Sequence, residues 1–364
     1  MTKEELHLAA ISSFPKFGSR SLLKIKRNFD NLETAWNASV KEFLAIGLKE
    51  TVALEFMEWR KKFSLTKFQE NLNKENISIV TIDAPNYPNL LKEIYDPPAA
   101  LFLKGVLGSD NFPLAVVGSR RLSGYGQMAI DTIVNDLCLA GAAIVSGLAL
   151  GADAASHATA LKCGGRTIAV LGSGINRNNI YPPYNRKLAE QIIDNNGAII
   201  SEFPPGALPL KQHFPIRNRI ISGMTRGTLI IEATEDSGSL ITAKSALDQN
   251  REVFAIPGSI FSSLSAGTNN LLKIGARVVT EAADILDVFN IESPKINLEN
   301  ISEQSANPKE KAILECLKEE PTQIDLIAKI TGLPTSEILA ALTIMEMRGA
   351  IKNLGGMVYA KKRR

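Results

Sequence analysis

Between residues 76 and 290, short apolar runs alternate with segments of helical periodicity, and this alternation constrains the fold more than any other feature. Runs that are apolar throughout are typical of strands buried on both faces, as in a parallel sheet covered by helices. The pattern therefore predicts an α/β fold with an extended, Rossmann-like parallel sheet. The eight strands that we predict have the sequences SIVTI, LAVVG, AAIVSG, TIAVLG, AIISE, TLIIEA, VFAIP and RVVT.

The segments on either side of the predicted sheet have different patterns. Residues 1–70 predict a helical domain, and the polar stretch 291–308 predicts a linker. Residues 309–364 predict three amphipathic helices followed by a β-hairpin, which is typical of winged-helix domains. We therefore expect a Rossmann-like domain over 76–290, a small helical domain before it and a winged-helix-like domain after it.

The helix at the DNA-reading position of the winged-helix pattern is poorly suited to sequence-specific binding. Its one basic residue is Arg348, whereas Glu337 and Glu346 are acidic. A helix that reads the major groove normally presents Arg, Lys, Asn or Gln to the base edges. Binding of DNA and docking of a protein partner both remain open for this domain.

A weak internal repeat marks the N-terminal helices. FPKFGSRSLLKI (14–25) and FLAIGLKETVAL (43–54) align with Gly18 matching Gly47. An apolar residue, a glycine turn and a new helix are similar to a helix-hairpin-helix module, which binds nucleic-acid backbone through the amides of the turn. A helical bundle that turns its corners at glycine explains the pattern equally well.

Composition excludes several classes of protein. The first residues, MTKEELHLAAISSF, do not resemble a signal peptide, and no run approaches the ~18 apolar residues of a membrane span. A cytoplasmic location is therefore expected. The three cysteines and three histidines are scattered, which predicts buried thiols, no disulfide, no metal site and no cofactor.

Charge is distributed unevenly along the chain. Residues 1–75 contain 13 basic and 10 acidic residues, and residues 309–364 contain 10 and 7. The central part, 76–308, contains 18 basic and 21 acidic residues. An anion bound by the central domain must therefore be held by a local cluster of cations.

Five of the predicted strands end in Gly/Ser-rich loops, and the carboxyl ends of parallel strands meet at one edge of a sheet. The first loop, Gly118-Ser119-Arg120-Arg121, precedes a helix, as a phosphate-binding loop does. Arg120, however, stands where the dinucleotide fingerprint G-x-G-x-x-G has its second glycine. Two guanidinium groups at this turn favour a ligand with more charge than one pyrophosphate. The other four loops contain Ser146-Gly147, Gly172-Ser173-Gly174, Ser237-Gly238-Ser239 and Gly258-Ser259.

Several ionisable residues near this edge have more than one explanation. Arg217 and Arg219 lie about 200° apart around a helix and cannot share a face, so each either contacts phosphate or pairs with an acid such as Glu232 or Asp236. Asp153 is expected to cap a helix. No nucleophile with a partner base is evident, so no catalytic residue is predicted. The basic residues expected near the edge are Arg120, Arg121, Arg186, Lys187, Arg217 and Arg219.

The chain resembles the DprA/Smf family, the DNA-processing proteins of bacterial natural transformation. The resemblance covers most of residues 113–280 in the family's order, and FPIRNRIISG and SGSLITA are its specific motifs. The flanks fit the family's arrangement of a small helical N-terminal domain, of SAM or helix-hairpin-helix type, and a winged-helix-like C-terminal domain. The matching stretches are VVGSRRLSGYG, IVSGLALGADAASHATAL, GGRTIAVLGSGINRNNIYPPYNRKLAE, IISEFPPGALPLKQHFPIRNRIISGMT, EATEDSGSLITAKSALDQNREVFAIPGS and AGTNNLLKIGARVVT.

The resemblance implies a non-enzymatic protein that binds and protects single-stranded DNA and loads RecA recombinase onto it during transformation and recombination. It also implies a homodimer. Leu271, Leu272 and Ile274 are candidates for dimer or partner contact, although they can equally cover the last strand. The strand-end argument and the resemblance together predict the phosphate-binding positions Gly118, Ser119, Arg120, Arg121, Ser146, Gly147, Arg186, Lys187, Arg217, Asn218, Arg219, Ser237, Gly238 and Ser239.

Two features depart from the family's pattern. Many relatives have a lysine after YP, where this chain has Pro183, so the nearby phosphate contact is assigned to Arg186 or Lys187. Aromatic residues on which bases could stack are few. The candidates, each of which core packing also explains, are Tyr181, Tyr184 and Phe214.

Two other functions remain as alternatives. A nucleotide-processing hydrolase of the lysine-decarboxylase-like or phosphoribohydrolase type shares the sheet and the glycine-rich strand ends. Such enzymes typically show P-G-G-x-G-T-x-x-E, whereas the segment here, EDSGSLITA, has no glutamate after the loop. A regulator that binds duplex DNA would need a more basic recognition helix than this one.

Overall fold

The computed structural model describes residues 1–108, 110–292, 308–317, 321–347 and 351–361. The chain divides into two compact units, Met1–Ser293 and Pro294–Arg364. Most of the predicted linker, and Arg348 of the predicted recognition helix, lie outside the described residues. The domain boundaries drawn from the sequence within the first unit stay predictions.

The first unit is built on a nine-stranded sheet with helices on both faces. Its strands are β1 (Ser78–Thr81), β2 (Ala100–Gly105), β3 (Pro113–Val117), β4 (Ala143–Ser146), β5 (Thr167–Leu171), β6 (Ala198–Ser201), β7 (Gly227–Ile230), β8 (Glu252–Ala255) and β9 (Arg277–Val278). Its helices are α1 (Lys3–Ser12), α2 (Ser19–Asn28), α3 (Leu32–Asn37), α4 (Val40–Ala45), α5 (Glu50–Lys62), α6 (Leu65–Lys74), α7 (Asn89–Lys92), α8 (Gly124–Leu139), α9 (Ala152–Lys162), α10 (Arg186–Asp194), α11 (His213–Gly223), α12 (Gly238–Asp248), α13 (Ala266–Lys273) and α14 (Ala283–Leu286).

The strand order is β1-β2-β6-β5-β4-β3-β7-β8-β9, which confirms the predicted Rossmann-like sheet. The seven strands from β6 to β9 in this order run parallel, and all residues of β3, β4 and β5 are buried, as their continuous apolar sequences predict. The chain builds from β3 outward to β6 and then returns to the other side of β3 with β7. This reversal opens a crevice between β3 and β7, where open α/β sheets bind their ligands.

All eight predicted strands are present in the structure. The ninth strand of the sheet, β2, was not predicted from the sequence. β2 pairs antiparallel with both β1 and β6. It lies outside the alternation of parallel strands and covering helices from which the other strands were predicted.

The N-terminal region is helical, as predicted, with six helices. Its core is aromatic: Phe56 packs within 5.5 Å, ring centroid to centroid, of Phe14, Phe17 and Phe43. The two glycine turns differ, since Gly47 has a φ of +74° whereas Gly18 precedes α2 with a φ of −81°. The Gly47 amide donates to the Leu44 oxygen over 2.7 Å, so this amide is used within the turn rather than offered to a ligand.

The second unit has the predicted three helices and hairpin. The described core packs Ile313, Ile327, Ile338 and Leu342 together. No described helix is by itself long and apolar enough to span a membrane; α16 and α17 meet that test only as a pair, bent by 113°. The elements are α15 (Pro308–Cys316), β10 (Thr322–Gln323), α16 (Ile324–Thr331), α17 (Thr335–Met347), β11 (Ile351–Asn353) and β12 (Val358–Lys361), with sheet order β10-β12-β11.

Candidate nucleic-acid interface

A cleft of about 850 Å³ opens at the switch point between β3 and β7. The loop Gly118–Arg121 and the first turn of α12 both line it, so the amino end of α12 faces the cleft and favours an anion there. Of the predicted phosphate-binding residues, the cleft brings together Gly118, Ser119, Arg120, Arg121, Arg217, Asn218, Ser237, Gly238 and Ser239.

The glycine-arginine loop, Gly118–Arg121, is a tight turn that directs two arginines into solvent. The buried Ser119 hydroxyl donates to the Arg121 oxygen over 2.9 Å and accepts from the Arg121 amide over 3.0 Å. Arg120 and Arg121 are exposed, and neither takes part in an ion pair among the described residues. The loop therefore holds two uncompensated guanidinium groups at the mouth of the cleft.

The loop after β4 forms the floor of the cleft rather than its surface. Ser146 is fully buried and donates to the Val116 oxygen over 2.6 Å. Gly147 is buried against the Arg217 guanidinium, which lies 2.5 Å from where a Cβ would stand. The structure thus places the two residues beneath the site, where neither lines the cleft. A glycine is required at 147 because any side chain would displace the guanidinium.

Arg217 is a buried cation beneath the cleft. It donates to the Gly147 oxygen over 2.7 Å, to the Val170 oxygen and to Asn218 Oδ1. Burial lowers the pKa of Arg217 to about 10, and Asp153 opposes that shift. Arg217 lines the cleft with only 5% of its surface exposed, so its first role is to hold the floor together.

Asp153 does not cap α9, contrary to the prediction. Gly151 precedes that helix, and the Asp153 carboxylate instead accepts from the amides of Gly147 and Ala149 over 3.1 and 3.3 Å. Burial raises the pKa of this carboxyl, and Arg217 counters the shift. Asp153 and Arg217 both bond to the main chain of Gly147, so the two buried side chains tie the loop after β4 to α9 and to α11.

Arg219 is a structural residue in this fold. Its guanidinium pairs with Glu202 over 2.6 Å and with Asp96 over 3.1 Å. The acid that the sequence suggested, Glu232, instead accepts from the amide of Ser123 over 2.9 Å, at the start of α8. Arg217 and Arg219 do lie on different faces of α11, as their spacing predicts, and Arg219 does not line the cleft.

The opposite wall is formed by the start of α12. The Ser237 hydroxyl accepts from the Ser239 amide over 3.3 Å and caps the helix. Asn218 donates to the Gly238 oxygen over 3.3 Å, which joins α11 to this loop. The three residues 237–239 therefore present a helix start to the ligand.

Arg186 and Lys187 stand outside the cleft, although the sequence placed them near it. Arg186 donates to the Asn178 oxygen over 2.7 Å, and Lys187 is exposed on α10. The cation that the sequence reasoning missed is Lys211, which is exposed and lines the cleft from the loop before α11. No periodicity singles out a lone loop lysine.

Two of the three aromatic candidates line the cleft. Tyr181 and Phe214 have ring centroids 6.0 Å apart, and the Arg120 guanidinium carbon lies 5.6 Å from the Phe214 centroid. Tyr184 is 86% exposed and lies outside the cleft. Aromatic rings beside guanidinium groups can stack on bases while the cations bind phosphates.

The residues proposed for dimer or partner contact are distributed between core and surface. Leu271 is buried in the sheet core and Leu272 is half-buried against it, so Leu271 is a core residue rather than a contact. Ile274 is 74% exposed and is the one of the three that offers a free apolar surface.

The histidine nearest the cleft floor is not placed for catalysis. His157 is fully buried, and its Nδ1 lies 2.7 Å from the Thr167 hydroxyl oxygen. The Thr167 hydroxyl donates its proton to the Ile144 oxygen, so in this bond Nδ1 is the donor. Burial lowers the pKa of His157 to about 3, so the ring is neutral. Within the described part of the chain, no group of three His, Cys, Asp or Glu side chains is placed to hold a metal ion.

The sheet is Rossmann-like, and arginines line the cleft at its switch point. These features place the chain among the anion-binding α/β proteins, with a winged helix in addition. The chain belongs to the family of DNA recombination-mediator protein A, whose profile matches residues 78–290. The profile of the DprA winged helix domain matches residues 300–357.

Similar proteins of known sequence and structure agree with this assignment. Protein Smf of Escherichia coli is 38% identical over 80% of this chain and 79% of its own length. DNA processing protein DprA of Streptococcus pneumoniae is 48% identical over 56% of this chain and 71% of its own. Its X-ray structure superposes with a TM-score of 0.65 at 38% identity, covering 79% of this chain and 98% of that one. The Helicobacter pylori protein, whose structure concerns single-stranded DNA binding, superposes with a TM-score of 0.51 at 29% identity, covering 59% and 95%.

Proposed function

We propose that this chain is a DNA-processing protein that binds single-stranded DNA in the cleft between β3 and β7. The observation that carries the proposal is the exposed pair Arg120 and Arg121, which stands uncompensated at the cleft together with Lys211. Guanidinium groups and a helix start bind phosphates without reading sequence. The Helicobacter pylori relative, which binds single-stranded DNA, supports the same ligand.

The aromatic residues favour a single strand over a duplex. Tyr181 and Phe214 line the same cleft as the arginines. Bases can stack on such rings only when they are unpaired, and this contact is worth about 1–3 kcal/mol per base. A duplex offers the cations its phosphates but keeps its bases inside the helix, so we expect it to bind more weakly.

We further propose that the protein acts in the cytoplasm, where it protects the bound strand and passes it to RecA recombinase. The chain acts as a homodimer, with Ile274 at the contact beside Leu247 and Val278, which are each 53% exposed. Ile274→Asp should then convert the dimer to a monomer in light scattering. A dimer that survives this substitution would contradict the assigned contact.

We also propose that the cleft binds without catalysing a reaction. Among the described residues that line it, the carboxylate is Asp153, which is buried, bonded to two amides and balanced by Arg217. A hydrolase needs an acid or base aimed at the scissile bond.

Two assays with one preparation of the protein test the proposed function. The first measures binding of a fluorescent oligodeoxythymidine, and the second measures release of ribose phosphate from AMP. Tight oligonucleotide binding without ribose-phosphate release is the expected result. Release of ribose phosphate from AMP together with weak oligonucleotide binding would contradict the proposal and would identify the protein as a nucleotide-processing hydrolase.

A further inference from the structure

Helix α2 presents a row of cations that the cleft does not explain. Arg20, Lys24 and Arg27 are exposed and follow one another at i, i+4 and i+7, so they share one side of the helix. We call these three residues the α2 basic face. None of them takes part in an ion pair among the described residues.

Two contacts fix the position of α2 at the carboxyl edge of the sheet. Ser19, at the start of the helix, bonds to Glu202, which directly follows β6, and accepts from Arg219 over 2.8 Å. Lys26 pairs with Asp83, which follows β1. β2 runs antiparallel to both β1 and β6, so the ends of β1 and β6 lie at the same edge. This is also the edge at which the cleft opens.

The distance from α2 to the cleft is short on the scale of a DNA strand. β6 and β3 are separated by β5 and β4, which gives three strand spacings or about 15 Å. Arg20 lies on the first turn of α2, nearest β6, and its guanidinium carbon stands 4.5 Å from the ring centroid of Tyr95. Tyr95 is 84% exposed, so a cation and an aromatic ring are presented together to solvent.

The acids nearby do not cancel this positive charge. Glu202 and Asp96 share Arg219, and Asp83 pairs with Lys26, so these three acids and two cations leave one negative charge beside the three cations of the α2 basic face. Lys24 donates to the Gly47 oxygen over 3.0 Å, a contact that fixes its side chain but leaves its charge uncompensated. The face is therefore complementary to a polyanion.

We propose that the α2 basic face is a second phosphate-binding site, over which single-stranded DNA passes after it leaves the cleft. This proposal rests on the function proposed above. It assigns the N-terminal helices a part in binding long strands, through side chains on α2 rather than through the amides of the glycine turns. Three neutralised phosphates change the slope of log affinity against log salt by about 2 for a single strand.

Oligonucleotides of two lengths test the proposal with the full chain. A deoxythymidine oligomer of about 6 nucleotides, within the site size of known single-strand grooves, fills only the cleft, and one of about 20 nucleotides also reaches α2. The variant Arg20→Ala, Lys24→Ala, Arg27→Ala is compared with Lys61→Ala, Lys62→Ala, Lys67→Ala. The control removes the same charge from exposed lysines of α5 and α6.

The expected result is a loss of long-oligomer affinity of at least about fivefold at low salt, with a salt slope smaller by about 2, in the α2 variant alone. Its affinity for the short oligomer stays within twofold of wild type. Equal long-oligomer affinity in the two variants would overturn the second site and leave the cleft standing. Failure of the wild-type protein to bind either oligomer would instead remove the proposed function itself.

Discussion

The main-chain oxygen of Ser119 accepts a 3.0 Å hydrogen bond from the amide of Ala152. This bond joins the glycine-arginine loop to the start of α9. Gly151, directly before that amide, has a φ of +74°, and a Cβ there would lie 2.3 Å from the same Ser119 oxygen. The position of Arg120, one residue further on, therefore depends on a glycine in another loop.

Gly151→Ala should displace the glycine-arginine loop. The added methyl group collides with main chain that cannot move away without moving Arg120, and the left-handed conformation is itself strained, at a cost of about 1–3 kcal/mol. Affinity for single-stranded DNA is expected to fall at least about threefold, because the guanidinium no longer faces its phosphate. The matched control is Gly164→Ala, where φ is +70° and a Cβ meets nothing within 4 Å. The control should lose stability but keep its affinity, and equal affinities in both variants would contradict the coupling.

Arg217→Met should lower the free energy of unfolding by about 3 kcal/mol, because it removes hydrogen bonds of the cleft floor and leaves the buried Asp153 carboxylate without the nearby positive charge that favours its ionised form. Asp153→Asn in the same chain removes the carboxylate charge. The free energy of unfolding of the double variant should therefore exceed, by at least about 1 kcal/mol, the value expected if the losses of the two single variants were added. Denaturation by urea measures all four proteins of this cycle. Additive effects would mean that the two side chains do not act as a pair.

Stability should fall as the pH is lowered through the range in which His157 titrates when unfolded. The folded pKa is about 3, against 6.5 for an ordinary histidine, so the unfolded chain binds a proton that the folded chain excludes. The contribution of the neutral His157 ring to the free energy of unfolding is complete above pH 6.5. It is lost as the pH falls toward 3, and the total loss is roughly 4–5 kcal/mol at most. Urea unfolding of His157→Gln should show a flatter dependence on pH over this interval. A variant with the same slope as wild type would contradict the assignment.

The strands were predictable because each depends on its own residues. An apolar run such as that of β3, 113–117, can be buried on both faces only inside a sheet. β2 is apolar as well, but its place is set by antiparallel pairing with β1 and β6, partners that are far away in sequence. Its assignment therefore required tertiary information.

The candidate site was predictable where one loop determines it. The turn at Ser119 closes on Arg121, two residues away, so the local sequence suffices to expose the two arginines. Arg219 could not be assigned in this way, because its structural role depends on Asp96, more than a hundred residues earlier. Lys211 was missed for the same reason, since only the folding of its loop brings it to the cleft that Arg120 also lines. These residues are joined by topology rather than by any pattern in the sequence.

The measurement that tests the central claim most directly is a salt titration of single-stranded and duplex DNA binding, with wild type beside Arg120→Ala, Arg121→Ala. The predicted result is a preference of wild type for the single strand, and a loss of that affinity in the variant with a salt slope smaller by about 1.4, since two phosphate contacts are removed. Arg186→Ala, Lys187→Ala removes the same charge outside the cleft and should change affinity much less. Equal, weak binding of both DNAs that none of these substitutions alters would contradict the account.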